Sequence, residues 1–281
     1  MTSRPGLRLA CIAVAMLYFI AGAALFAKMP AVTSLWPWPA SGMAYVFLAS
    51  IAVAVGAPVL WIGITREFAA LAAIGLNALV ATAGMAIYLV VQAVRGESGL
   101  APAIVVMSVH ALGGALLFLR ARRIPVLDQR PLPAIVRWAF AGFTVLLLTT
   151  GTALVLQIPR IFPWNLPPHS STVFGFIFLG AAVYFLYGFV RPRWAFGAGQ
   201  LWGFLAYDIV LFVPYGRMLF GDSAGSGYDD YGGYGAGVNV PSLTVYLTVL
   251  TLSTALALYM FVIHPETRIG RRREGSMRGP E

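Results

Sequence analysis

An aspartate stands deep inside one of the long apolar stretches of this sequence. Asp208 lies within LWGFLAYDIVLFVPYG (residues 201–216), and no other acidic residue is so far inside an apolar run. A charge at the centre of a bilayer costs at least a few kcal/mol on insertion scales, so such residues usually face the interior of a helix bundle and have a partner there. His110 lies similarly inside VVMSVHALGGALLF (residues 105–118). These two side chains are the first candidates for substrate- or pH-dependent chemistry.

Asp208 and His110 are expected at similar depths in the membrane. The predicted helix of His110 begins near residue 102, so His110 lies roughly eight residues, or about 12 Å, from that end. The predicted helix of Asp208 ends near residue 216, on the same side of the membrane and at a similar distance from Asp208. Equal depth permits a contact between the two side chains. A histidine that hydrogen-bonds between helices is the simpler interpretation of His110.

The sequence offers few ligands for a cofactor or a metal. A bis-histidine haem inside the membrane needs two intramembrane histidines, whereas His169 and His264 are predicted in a loop and at a helix end. Ligation of a haem by His110 alone stays open. Cys11 is the single cysteine, which excludes an intrachain disulfide and matches no zinc spacing, so we interpret it as a small buried apolar side chain. We therefore expect no cofactor and no metal site.

Four further polar side chains, those of Asn77, Gln92, Gln157 and Gln200, lie in or at the ends of apolar segments. Their expected role is hydrogen bonding between helices. Of these, Asn77 and Gln200 join Asp208 and His110 as candidates for an intramembrane site.

Two segments combine proline with tryptophan, SLWPWPAS (34–41) and RIFPWNLPPHSS (160–171). Proline cannot continue a helix and disfavours the helical state of its predecessor, so each segment is predicted to lead into the next helix in an extended form. Tryptophan prefers the membrane interface, so one interpretation is an aromatic belt. The functional alternative is a pseudo-symmetric lid or binding cleft on the outer side, with contacts from Trp36, Trp38, Trp164, Asn165 and His169.

The composition requires that these residues be positioned by helices in a membrane. Of the 281 residues, 59% are hydrophobic and only 10% are charged, whereas a soluble domain carries about 25% charged residues. Apolar runs of roughly 20 residues match the hydrocarbon core, and a spanning segment of a single chain must satisfy its own backbone hydrogen bonds. We predict an all-α integral membrane protein with eight transmembrane helices, at about 8–27, 42–64, 67–93, 101–120, 134–156, 171–190, 195–216 and 241–263.

The basic residues predict the orientation of the chain. If the eight segments alternate in direction, one side collects 15 of the 19 basic residues and the other side only Lys28, Arg95, Arg160 and Arg217. Basic loops stay in the cytoplasm, so both termini are predicted to be cytoplasmic. The basic residues also explain the net charge of +9 without nucleic-acid binding, and the preference for arginine over lysine suggests a bacterial inner membrane. Anionic lipid head groups are the partners expected at Arg120, Arg122, Arg123, Arg271, Arg272 and Arg273.

The chain is predicted to contain a parallel duplication of four helices. Gly22-Ala23-Ala24-Leu25 and Gly151-Thr152-Ala153-Leu154 share an offset of 129 residues, and Val46-Phe47 and Val173-Phe174 share an offset of 127. Each half also carries one of the Pro-Trp segments. The predicted organisation is a first four-helix repeat at 1–123, a cytoplasmic linker at 124–133, a second four-helix repeat at 134–265 and a basic cytoplasmic tail at 266–281.

Two loop features have simple interpretations. Arg66 and Glu67 are predicted to form a local ion pair at the turn between the second and third helices. The loop at 221–237 is rich in Gly, Tyr and Asp, with Asp222, Asp229 and Asp230, and we interpret it as flexible and solvated, with a weak cation or partner site as the alternative. Its spacing does not match an EF-hand.

Three classes of function fit this sequence. The favoured one is transport or binding of a small molecule or ion within the helical bundle, because duplicated bundles commonly place a site between their halves. The alternative is a non-catalytic accessory or assembly subunit of a larger membrane complex, with protein partners or a homo-oligomer. A membrane enzyme acting on lipid is least favoured, because the chain has no Walker A, GxSxG, HExxH or CxxC motif and no paired intramembrane carboxylates.

Overall fold

The computed structural model describes residues 5–38, 40–220 and 238–269, and within them the chain is all-helical. Eight of the described helices are long and apolar enough to cross a membrane, which indicates a multi-pass membrane protein and confirms the predicted number. A short additional helix, α2, follows the first. The bounds are α1 Pro5–Phe26, α2 Pro30–Thr33, α3 Gly42–Thr65, α4 Leu71–Val94 (after a 3-10 turn at Phe68–Ala70), α5 Ala101–Ala121, α6 Ala134–Val155, α7 Pro168–Val190, α8 Trp194–Phe220 and α9 Val240–Leu258, which continues as a π-helical turn at Tyr259–Ile263.

Several predicted features lie outside the described residues. They are the acidic loop at 221–237 with Asp222, Asp229 and Asp230, residue Arg4, and the basic tail from residue 270 with Arg271, Arg272 and Arg273.

Helix starts follow from the proline and capping residues of the sequence. Pro30 and Pro168 open α2 and α7, where the missing N–H of proline would have no helical partner. The Ser41 side chain accepts the backbone N–H of Ala44 at 3.2 Å and caps α3. Asn239 caps α9 in the same way, through the N–H of Ser242. The first Pro-Trp segment therefore ends at the Ser41 cap of α3, whereas the second enters α7 at Pro167, which makes no side-chain cap hydrogen bond.

Two helix ends repeat the same backbone conformation 129 residues apart. After α1, Lys28 has a φ of 52°, and the N–H of Met29 bonds to the carbonyl of Ala24 at 2.9 Å. After α6, Gln157 has a φ of 59°, and the N–H of Ile158 bonds to the carbonyl of Ala153 at 2.9 Å. A left-handed residue with this backward bond is the usual way to satisfy the last carbonyls of a helix.

Helix packing follows one pattern in both halves of the chain. In the first half α1 packs on α3, and α4 packs on α5; in the second half α6 packs on α7, and α8 packs on α9. The halves are joined by α3 against α8 and by α4 against α7. Each pairing in the first half therefore has a counterpart in the second, and the four central helices are α3, α4, α7 and α8.

Glycines allow the closest helix crossings. A Cβ added at Gly114 on α5 would lie 2.7 Å from the backbone nitrogen of Leu79 and 2.8 Å from the carbonyl oxygen of Gly75 on α4. Gly151 on α6 lies equally close to Gly175 on α7. Small residues at such positions are typical of membrane helix pairs, because close backbone approach replaces the hydrophobic driving force.

The loops gather on two sides of the bundle, which we name the Arg-rich and Arg-poor sides after their described basic residues. On the Arg-rich side, the Leu132 N–H bonds to the carbonyl of Pro192, and the Trp194 N–H bonds to the carbonyl of Arg130. Arg130 pairs with Asp128, and the hydrogen bonds that Asp128 accepts raise the pKa of Arg130 above its ordinary value. The segment 124–133 is thus fixed to the turn between α7 and α8.

Glu67 anchors the same segment from the other half of the chain. Its side chain is buried and accepts the backbone N–H groups of Leu127 and Asp128. Arg66, the neighbour with which an ion pair was predicted, has a left-handed φ of 66° and caps α3 by bonding to the carbonyl of Ile62. The Glu67 side chain therefore holds the segment 124–133 through two backbone hydrogen bonds.

Candidate functional site

A cavity of about 690 Å³ lies between the four central helices. The helix α8 lines it with Gln200, Gly203, Phe204, Tyr207 and Asp208, whose spacing of three and four residues marks a single helix face. The helices α3, α4 and α7 each contribute a similar stripe, at 51–58, 74–85 and 177–185. All four predicted intramembrane residues, Asp208, His110, Asn77 and Gln200, line this cavity.

The cavity extends laterally between α6 and α9. Leu146 on α6 and Val245 on α9 both line it and are 36% and 57% exposed, and these two helices do not pack extensively on one another. At the Arg-poor end its lining includes Arg160, Asn239 and Ser242. A gap between α6 and α9 therefore borders the cavity.

The Asp208 side chain is 1% exposed, and its two oxygens have different surroundings. Oδ2 accepts hydrogen bonds from the hydroxyls of Ser253 at 2.8 Å and Thr254 at 2.7 Å, both on α9. Oδ1 is buried and has no hydrogen-bond partner. Among the residues described, no basic side chain forms an ion pair with this carboxylate. The predicted burial of Asp208 inside the bundle agrees with these contacts.

His110 does not contact Asp208. It is exposed on α5, and its Nδ1 hydrogen-bonds to the carbonyl of Val106, one turn earlier on the same helix, at 2.9 Å. The two residues line one cavity from different helices. His110 therefore hydrogen-bonds to its own helix and not, as predicted, to a neighbouring one.

Gln200 and Asn77 lie at close contacts between central helices. The Gln200 Nε2 donates to the carbonyl of Tyr184 on α7 at 2.7 Å, while its buried Oε1 has no hydrogen-bond partner. Asn77 on α4 lies against Gly180 on α7, where an added Cβ would lie 2.5 Å from the Asn77 Oδ1. The interhelical bond predicted for Gln200 is present.

A polar cluster of Trp38, Tyr88, Glu97 and His169, which we name the Arg-poor cluster, joins the two halves. The His169 ring stacks on Trp38 with centroids 4.7 Å apart and planes 5° from parallel. Its Nδ1 lies 2.8 Å from the Tyr88 hydroxyl and its Nε2 lies 3.3 Å from Glu97 Oε1. Trp38 Nε1 donates to Glu97 Oε2 at 3.1 Å. With a proton on Nε2, the imidazole donates to Glu97 Oε1, and its Nδ1 accepts a hydrogen bond from the Tyr88 hydroxyl.

The remaining members of the predicted cleft are separated. Trp36 contacts both Trp38 and Phe174, at centroid distances of 6.3 and 6.1 Å. Trp164 is buried against Phe162, at 4.9 Å, inside the aromatic core. Asn165 is exposed. The two Pro-Trp segments thus meet through the half-buried stack of Trp38 on His169, and the polar contacts belong to the same two residues.

Sequence reasoning missed four residues around these sites. Ser253 and Thr254 supply the hydroxyls for Asp208, and Tyr88 and Glu97 complete the Arg-poor cluster. The Ser-Thr pair inside the apolar α9 was a usable signal, since it lies about as far from the Arg-poor end of its helix as Asp208 does.

Other predicted residues have peripheral places. Arg120, Arg122 and Arg123 are exposed at the end of α5, where lipid head groups could reach them. Cys11 is buried, as expected of an apolar side chain. Among the described residues, no three His, Cys, Asp or Glu side chains converge as metal ligands would.

Comparison with known proteins adds no relative to this description. No family model, no curated protein and no solved structure matches the chain.

Proposed function

We propose that this protein binds, and carries across the membrane, a small molecule or ion held in the central cavity. The observation that carries the proposal is a set of three buried oxygens without hydrogen-bond partners, Asp208 Oδ1, Gln200 Oε1 and the Tyr246 hydroxyl, on residues that line the cavity. An unsatisfied buried acceptor costs about 1–3 kcal/mol, and more when it is charged, so a ligand that supplies the missing donors gains that energy. Convergent polar groups in an apolar cavity are typical of ligand sites.

An internal duplication accounts for the placement of this site. The matching helix pairs and the matching caps at Lys28 and Gln157 support two repeats, at 1–123 and 134–265, joined by the linker at 124–133. Phe47 and Phe174, equivalent residues of the two halves, contact one another with ring centroids 4.8 Å apart. Residues related by a two-fold axis touch only near that axis, so their contact supports such an axis through the bundle. Transporters commonly bind substrate between their repeats.

The orientation proposed for this protein places the Arg-rich side in the cytoplasm of a bacterial cell. The described residues on that side carry ten basic residues, against four on the Arg-poor side: Arg8, Arg66, Arg120, Arg122, Arg123, Arg130, Arg137, Arg191, Arg193 and Arg268, against Lys28, Arg95, Arg160 and Arg217. Basic loops of membrane proteins are retained on the cytoplasmic side, which supports this orientation. Reporter proteins that work only in the cytoplasm, fused to the C-terminus, test it.

The occupancy of the cavity tests the proposal. Ala181 on α7 lines the cavity, so Ala181→Phe fills part of it, whereas Ala255→Phe adds the same ring to an exposed position of α9. Native mass spectrometry of protein released in mild detergent should detect a bound small molecule on the wild type and on Ala255→Phe. Occupancy of Ala181→Phe should fall at least fivefold.

Two results would contradict the proposal. One is a wild-type chain that is empty whether released from its native membrane or exposed to a panel of small molecules. The other is equal occupancy of Ala181→Phe and Ala255→Phe, which would place the bound molecule outside the cavity. A chain recovered empty and always with a stoichiometric partner protein would favour the accessory-subunit function.

A further inference from the structure

The chemistry of the cavity wall indicates which ligands it can take. Asp208 is the only acidic residue among the described residues that line it. One oxygen of its carboxylate accepts hydrogen bonds from two hydroxyls, and the other has no hydrogen-bond partner. No described basic side chain pairs with this carboxylate. A negative charge in this position is strongly destabilised in an apolar medium, so the carboxyl group takes up a proton unless another positive charge accompanies it.

The walls around Asp208 are aromatic. Eight aromatic side chains line the cavity. Phe204 lies one helical turn from Asp208, and its ring contacts those of Phe143 and Phe185, with centroids 4.5 and 5.0 Å apart. On the other side, Tyr207 and Phe178 also line the cavity. The faces of such rings attract cations, most strongly where water is excluded.

The basic side chains of the cavity lie at its margins. Arg160 lies at the Arg-poor end, where it follows α6, and His110 is exposed on α5. Neither pairs with Asp208. Among the described residues, a positive charge at Asp208 other than a proton must therefore come from a ligand.

The route to Asp208 selects the rest of the ligand. Between α6 and α9, which do not pack extensively on one another, the cavity is lined by the exposed Leu146 and Val245. Both helices are apolar enough to cross a membrane, so we take this gap as the route from the bilayer. A ligand that enters there must first dissolve in the bilayer, which excludes small hydrated ions by this route.

We propose that the cavity binds a lipophilic organic cation, an ammonium or phosphonium centre surrounded by apolar groups. The cationic centre lies between the Asp208 carboxylate and the rings of Phe204 and Tyr207, and the apolar groups fill the space between α6 and α9. This inference rests on the proposed function and adds the chemical class of its ligand.

The test uses two probes of nearly equal size and shape and opposite charge, tetraphenylphosphonium and tetraphenylborate. Equilibrium binding is measured on the full chain in nanodiscs of phosphatidylcholine, with empty nanodiscs subtracted. The wild type should bind the phosphonium at about one per chain and at least tenfold more tightly than the borate. Asp208→Asn should weaken phosphonium binding at least tenfold, which corresponds to about 1.4 kcal/mol.

Three further variants separate charge recognition from a loss of folding. Asp208→Glu retains the charge and should keep most of the affinity. Phe204→Leu keeps an apolar side chain but removes the ring, and it should weaken phosphonium binding several-fold. Asp128→Asn removes a carboxylate from the linker on the Arg-rich side, away from the cavity, and should change the affinity less than twofold.

Equal binding of the two probes, or unchanged phosphonium binding by Asp208→Asn, would overturn the inference. If a bound molecule of another class is then found on the wild type and is displaced by Ala181→Phe, the proposed function stands and only the ligand class is wrong. If neither probe binds and the cavity is also empty by native mass spectrometry, the proposed function fails as well.

Discussion

At the scale of single residues, the carboxylate of Asp208 depends on two hydroxyls from a neighbouring helix. Asp208 lies 12 residues before the end of α8 and Ser253 lies 13 residues after the start of α9, or about 18 and about 20 Å at the rise of an α-helix. Because α8 and α9 run in opposite directions, these distances bring the groups to one level. Thr254 bonds to the same oxygen, Oδ2, so both hydroxyls hold one carboxylate oxygen, and the other, Oδ1, is buried without a hydrogen-bond partner.

We expect the contacts of His169 in the Arg-poor cluster to stabilise the packing of the two halves against each other by a measurable amount. His169→Ala removes the Tyr88 bond, the Glu97 contact and the stack on Trp38. Since its side chain is 31% exposed, the expected cost is about 1–2 kcal/mol of unfolding free energy. Asn165→Ala is the control, because Asn165 lies in the same loop and is exposed.

Thermal unfolding in detergent should show a lower midpoint for His169→Ala and the wild-type midpoint for Asn165→Ala. Equal unfolding midpoints for the two variants would mean that the cluster contributes nothing to the stability of the packing between the halves.

Residue-level prediction succeeded where the cost of burial decides the outcome and failed where neighbours decide it. The expense of a carboxylate in lipid made Asp208 an interior residue whatever surrounds it. The same argument is weaker for a neutral imidazole, and His110 satisfies one nitrogen on its own helix at the protein surface. Glu97 follows α4 in a polar loop, and nothing local in the sequence links it to Trp38, which lies 59 residues away.

At the scale of helices, the packing of α5 on α4 depends on the absence of side chains. Gly113 and Gly114 are adjacent on α5, yet a Cβ at Gly113 would meet nothing within 4 Å, whereas one at Gly114 would meet the backbone of α4. The two positions form a natural matched pair, since they have the same helical propensity.

Gly114→Ala should therefore separate the two helices and cost roughly 1–3 kcal/mol of stability, whereas Gly113→Ala should cost nothing. The difference in stability between the two variants is measured as the fraction of each that still elutes as a monodisperse peak in size-exclusion chromatography after heating. Equal heat resistance of the two variants would contradict the close crossing of α4 and α5.

Helix bounds were predictable because lipid imposes them, but helix neighbours were not. Apolar length, prolines and caps located all eight spanning helices to within a few residues. Which helices touch depends on surface shape, as at Gly75 and Gly114, and the apolar composition of every helix face hides that shape. The short helix α2 was missed, since its four residues, which begin with Pro30, lie in a segment interpreted as a loop.

At the scale of the whole molecule, the cavity results from the way in which the two halves meet. The helices α3 and α8 pack together, as do α4 and α7, and the stripes that these four helices turn inward enclose the space between the two pairs. On the second half, α6 and α9 also line the space, so the cavity extends toward lipid there. Neither half alone encloses the cavity, so the cavity could not be predicted from the sequence of any single helix.

A cryo-electron microscopy map of the full chain in a nanodisc, bound to an antibody fragment for size, tests this account most directly. We expect α6 and α9 to be separated by a cavity that reaches Asp208, with density for a bound molecule against the carboxylate. A map in which α6 packs directly on α9 and Asp208 is sealed from any cavity would contradict it.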